Sequence, residues 1–183
     1  MKLDPERAAL LVIDVQEAFR RAVPTFGEVA RASAALVRGA EAVGIPITVT
    51  EQYPQGLGST VPEVAAVLPA DVEPIEKVCF SAPQADGFDL AGRDQVLVCG
   101  IEAHVCVSQT VLDLLDLGVE VHVAKDAVGS RFEENKEIGL GKAEHAGAVI
   151  TSVEQALFEL VGGAGTEEFK RIQRVVLDYA PNP

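Results

Sequence analysis

Short apolar runs alternate along this chain with longer stretches whose apolar residues recur every three or four positions. That alternation constrains the fold most, because strand–helix–strand succession sets neighbouring strands parallel and stacks helices on both sheet faces. Ala8 to Val15 is an apolar run carrying Asp14 near its end and closed by Gln16, which reads as a strand buried on both sides. Thr25-Phe-Gly-Glu28 has the spacing of a capping box. The helix after it would bury Val29, Leu36, Val37, Ala40 and Val43, with Gly44 and Pro46 ending it. Further strands are expected at Pro46–Glu51, Ile75–Phe80, Gln95–Ile101, Val119–Ala124 and Ala148–Thr151. Further helices are expected from Thr60 to Pro69, Cys106 to Leu117, Ser152 to Leu160 and from Thr166 onward. The pattern predicts a three-layer α/β/α fold around a six-stranded, mostly parallel sheet.

The 183 residues are enough for one domain with its own core, taken as residues 1–183. Net charge is −13 and no cluster of Lys or Arg offsets it, so neither nucleic acid nor an anionic membrane surface is an expected partner. The apolar runs are too short to cross a bilayer. The opening Met-Lys-Leu-Asp-Pro-Glu-Arg lacks the apolar segment of a signal peptide, so a cytoplasmic location is expected. Three cysteines without a CxxC pair support neither a disulfide framework nor a zinc site.

Open α/β sheets bind ligands beyond the carboxyl ends of their strands, where strand order reverses. The polar residues expected there are Asp14, Glu51 and Gln52, the strand-borne Lys77, then Glu102, His104 and Cys106, and Asp126. A carboxylate at the mouth of an apolar strand needs a partner, and Lys77 is the available cation. Cys79 and Cys99 lie in apolar runs and read as core residues. Cys106 opens a helix, where the helix dipole lowers a thiol pKa. Thiol, carboxylate and ammonium together form the minimum set for an activated sulfur nucleophile.

Those residues lie in "LLVIDVQEAF", "TEQYPQGLG", "EKVCFSA", "CGIEAHVCVSQTVLDLL", "VEVHVAKDAVGSR" and "GAVITSVEQALFEL". On these stretches the chain resembles the isochorismatase-like cysteine hydrolases over nearly its whole length, and in particular their isochorismatase domain-containing branch. The resemblance implies Asp14, Lys77 and Cys106 as the catalytic triad. It also implies a cis peptide at Ile101–Glu102, with the backbone N–H groups of Glu102 and Cys106 as an oxyanion hole, and a homo-oligomer. Nicotinamidases of this superfamily bind a metal through an Asp-x-His pair and further histidines. Here Thr50-Glu-Gln-Tyr53 stands in that place and His104, His122 and His145 all come later, so neither metal nor cofactor is expected. Gln16, Phe19, Gln52, Tyr53 and His104 are pocket candidates by position. Asp126 reads as a structural cap for the Ala127–Arg131 loop, and Glu133-Glu134 as a solvated face.

The expected activity is hydrolysis of a small amide or related C–N bond through a Cys106 thioester. Alternatives are isochorismatase-type cleavage of a vinyl ether and a non-catalytic, ligand-binding member of the same fold. A phosphorylation receiver, which shares an acid and a strand lysine, lacks its phosphoacceptor here, because Cys79-Phe-Ser stands at the end of the third strand. A Rossmann-like order 3-2-1-4-5-6 would leave Lys77 two strands from Asp14, roughly 10 Å away. An extended lysine turned inward would have to close that distance.

Overall fold

A computed structural model describes residues 1–179. The strands are β1 (Ala8–Ile13), β2 (Ile47–Gln52), β3 (Ile75–Lys77), β4 (Gln95–Ile101), β5 (Glu120–Gly129) and β6 (Val149–Thr151). All their pairings are parallel, in the order β3-β2-β1-β4-β5-β6. The helices are α1 (Phe26–Val43), α2 (Pro54–Leu57), α3 (Pro62–Ala65), α4 (Ser108–Asp116), α5 (Glu133–Ala146), α6 (Val153–Val161) and α7 (Glu167–Tyr179).

β1 explains why the layers form. Every one of its residues is buried, and strand periodicity sends them alternately to opposite faces. Ala8, Leu10 and Val12 join the core under α1, α6 and α7. Ala9, Leu11 and Ile13 join the core under α4 and α5. Strand order reverses between β1 and β4, so their carboxyl ends frame the crevice where such sheets place their chemistry.

Several local expectations need correction. Thr25 makes no side-chain cap, so there is no capping box, whereas the Ser152 hydroxyl does accept from the Gln155 N–H. β3 stops at Lys77, leaving Cys79 beyond the strand and half-buried, its thiol donating to the Ser81 carbonyl. β5 continues to Gly129, so the expected Ala127–Arg131 loop is mostly strand. Asp126 instead accepts from the Val153 N–H at the start of α6 and from the Tyr179 hydroxyl. Glu133-Glu134 is exposed, in keeping with a solvated face, and forms the first turn of helix α5, which the periodicity did not reveal. That helix escapes a periodicity search because its buried residues are few: Gly139, Leu140 and Ala143. Two of those are too small to mark an apolar stripe.

Candidate active site

The turn after β1 brings Asp14 to the crevice in the left-handed region, at φ 53°. Aspartate tolerates this better than most residues, and such backbone concentrates at functional sites. Thr50, opposite Ile13 across the β1–β2 ladder, donates its hydroxyl to Asp14 Oδ1 at 2.7 Å. Lys77 ends β3 in register with Gln52. Its fully buried side chain crosses β2 and closes the expected gap, placing Nζ 2.7 Å from Asp14 Oδ2.

The ammonium also donates to Gln52 Oε1 at 2.8 Å and lies 3.2 Å and 3.4 Å from the carbonyl oxygens of Phe80 and Cys79. Removing two charges from water is costly unless they pair and their remaining hydrogen-bonding capacity is met. Both conditions hold here.

Cys106 lies within a π-helical turn, Ala103–Val107, that precedes α4, rather than opening the α-helix itself. It follows the Ile101–Glu102 peptide, which is cis. The thiol is 5% exposed. Burial pushes its pKa up, the Asp14 carboxylate adds to that rise, and the Lys77 charge pulls against it. The expectation of a thiol lowered by a helix start is therefore corrected: desolvation and the neighbouring anion outweigh the dipole. Burial and the Asp14 carboxylate thus both favour the protonated form of the Cys106 thiol.

Two glycines bring the backbone of the site together. Gly100 sits at φ +127°, and a Cβ there would stand 2.0 Å from the Ile13 carbonyl oxygen. Gly139 of α5 packs onto the Ala103–Val107 turn, and a Cβ there would meet the Ala103 carbonyl oxygen at 2.6 Å. Outside the turn, the buried Glu102 carboxylate accepts from the Arg131 N–H and Nε, each at 3.0 Å. His104 Nδ1 lies 3.1 Å from the Ser130 hydroxyl.

The positional pocket candidates separate. Gln52 holds Lys77. Gln16 is fully buried, its amide donating to the carbonyls of Gln52 and Gly58 and accepting from the Gln52 N–H. It therefore braces the loop after β2. Phe19 packs against the α1-side core. Tyr53 is exposed just past β2, and His104 is half-buried on the Ala103–Val107 turn. The position of the nicotinamidase metal ligands offers no ligand set: Thr50 and Gln52 serve Asp14 and Lys77, and Glu51 accepts from the Thr60 N–H and hydroxyl. Among the described residues no group of three or more His, Cys, Asp or Glu is placed to hold a metal ion.

Sequence reasoning missed Thr50 and Arg131. A hydroxyl one strand over from an acid signals the first. An arginine two residues past a strand that pairs with the strand leading to the cysteine signals the second.

The family model for the isochorismatase domain matches residues 8–155, from the first residue of β1 into α6. The chain belongs to the isochorismatase domain family. The family is one of hydrolases. Isochorismatase domain-containing protein 2 of Macaca fascicularis is 39% identical over 181 residues, 97% of this chain and 87% of that protein. The secreted isochorismatase effector Isc1 of Phytophthora sojae is 40% identical over 185 residues, 97% of this chain and 88% of that protein. The MAR1 ribonuclease of Caenorhabditis elegans superposes with a TM-score of 0.92 at 38% identity, covering 100% of this chain and 95% of that one. The isochorismatase-like framework thus extends across the whole sheet and the helices that cover it.

Proposed function

We propose that this family member is a metal-independent cysteine hydrolase that cleaves a small amide or related C–N bond. The observation that carries the reading is the Asp14 carboxylate, fixed by Lys77 at 2.7 Å and acting electrostatically on the buried Cys106 thiol. In the proposed cycle the Cys106 proton passes to Asp14 as sulfur attacks the carbonyl carbon. The carbonyl oxygen becomes an anion received by the backbone N–H groups of Glu102 and Cys106. Collapse breaks the C–N bond, and Asp14 returns the proton to the leaving amine. Water then attacks the thioester, giving one proton to Asp14, and the carboxylic acid departs as the thiol is restored. Lys77, 2.7 Å from Asp14 Oδ2, fixes the direction of that carboxylate.

The test is a panel of small amides followed by intact-mass measurement after rapid acid quench. An acyl adduct on Cys106, with turnover lost in Cys106→Ala, is the expected result. Amide hydrolysis that survives Cys106→Ala without an adduct would sink the thioester route. No turnover by the wild type on any compound would favour the ligand-binding reading. Ribonuclease activity, named for the nematode relative, is not carried over, because a chain of net charge −13 repels a polyanion.

A homo-oligomer belongs to the same proposal. Tyr53, Val78, Phe80 and Phe132 are exposed on segments that follow β2, β3 and β5, and exposed apolar side chains supply surface that a second copy would cover. A cytoplasmic location is supported by three free cysteines, the state expected of a reducing compartment. Among the described residues no helix is long and apolar enough to cross a membrane.

A further inference from the structure

Away from the Asp14–Lys77–Cys106 cluster, a cavity of about 720 Å³ opens over the carboxyl ends of β5 and β6, a volume typical of small-molecule sites. The pairing of β4 with β5 jumps there: Val98 pairs with Val123 but Gly100 pairs with Val128, and the intervening β5 segment turns Lys125 and Asp126 into the lining. Val29, Val128 and Ile150 supply apolar walls, and the Tyr179 ring adds to them.

The charged lining divides into committed and uncommitted groups. Asp126 is committed through both oxygens, to the Val153 N–H at 2.9 Å and the Tyr179 hydroxyl at 3.1 Å. Lys125 is paired with Glu137 at 3.0 Å. Arg31 and Lys136 form no ion pair among the described residues, and Glu28 is the remaining acid. In a chain of net charge −13, the free charge of this cavity is reversed in sign. Thr151 also lines it: the residue is 5% exposed, and its hydroxyl has no hydrogen-bond partner among the described residues. Buried hydroxyls are normally paired, so this one is left with hydrogen-bonding capacity beside the cavity.

We propose that this cavity is a second small-molecule site, distinct from the reaction site, that takes a carboxylate carried on a compact apolar body. The Arg31 guanidinium matches a carboxylate through two parallel N–H donors, and Lys136 adds a point charge. The apolar body lies against Val29, Val128 and Ile150 beside the Tyr179 ring.

The chain contains no tryptophan and two tyrosines, Tyr53 and Tyr179, so Tyr53→Phe leaves Tyr179 as the sole emitter. In that background, cyclohexanecarboxylate is expected to change Tyr179 fluorescence saturably, while cyclohexylmethanol at equal concentration does not. Arg31→Gln and Lys136→Gln are each expected to weaken binding about tenfold, the size of one charge-assisted hydrogen bond. Thr151→Val is expected to weaken it less, and Cys106→Ala not at all. No saturable change, an equal response to the alcohol, or affinity untouched in all three lining variants overturns the proposal. So does binding lost in Cys106→Ala, which would place the probe at the reaction site, or inorganic phosphate binding as tightly, which would leave the apolar walls without a role.

Discussion

A thiol held neutral beside an anion makes a prediction that a freely ionised one does not. Burial and Asp14 raise the Cys106 pKa while Lys77 lowers it. Asp14→Asn deletes the raising charge and keeps the lowering one. The midpoint of the pH profile for Cys106 alkylation is therefore expected to fall in Asp14→Asn, read by mass spectrometry, even as hydrolysis is lost. Cys99, pushed up to about 12 by burial, should stay unlabelled in both proteins and serves as the internal control. A midpoint that rises or stays fixed would remove Asp14 as the group controlling the thiol proton. Cys106→Ala is expected to lower kcat/KM by a factor on the order of 10³ or more. Lys77→Met should cost roughly 3–5 kcal/mol of stability in urea unfolding, the usual result of stranding one partner of a buried pair. The three residues were legible in the sequence because an acid, a lysine and a thiol stood at strand ends where apolar neighbours leave a charge without solvent. The thiol's direction of shift was not, since it depends on how much water the turn excludes.

Individual elements are tuned by their neighbours, and α5 shows this within one helix. Gly139 faces the Ala103 carbonyl oxygen and the His104 Cα, whereas Gly141 has nothing within 4 Å of an added Cβ. Gly139→Ala must therefore move the nucleophile turn or the helix, at about 1–3 kcal/mol. Gly141→Ala should instead stabilise by roughly 0.5–1 kcal/mol through helix propensity. Opposite signs in thermal melts, with activity reduced only in Gly139→Ala, are the expected outcome. Equal effects would mean that α5 does not bear on the turn. Arg131, just past β5, holds Glu102, the residue that precedes the same turn. Arg131→Ala leaves the Glu102 carboxylate with one N–H donor of its present two, and kcat is expected to fall more than KM rises. The apolar runs of β1 and β4 and the stripe of α4 announced themselves by periodicity. α5 did not, because its contact with the turn is made by a glycine, and closeness of backbone leaves no hydrophobic signature.

At the scale of the whole molecule, strand order is the feature that turns separated residues into one site. Asp14, Lys77 and Cys106 come from the turn after β1, the end of β3 and the segment after β4, and in the order β3-β2-β1-β4 the extended Lys77 side chain crosses β2 to reach Asp14. That order was legible as a fold class, because parallel strands linked by helices admit few arrangements. What surrounds the site was less so, since exposure depends on which loops fold back. Tyr53, Val78, Phe80 and Phe132 remain uncovered, Val78 at 80% and Phe132 at 65% exposure. Phe132 directly follows Arg131, and the Phe80 carbonyl contacts the Lys77 ammonium. A partner subunit seated on these residues would cover their apolar surface. Sedimentation equilibrium is accordingly expected to return a multiple of the 19.3 kDa chain mass. Val78→Glu combined with Phe132→Glu should shift the assembly toward monomer and reduce turnover. Because both side chains face solvent in the isolated chain, each substitution alone should change the monomer's own stability by no more than about 0.5 kcal/mol. A wild-type monomer at all concentrations, or full activity in a monomeric double variant, would show that this surface contributes nothing to the chemistry.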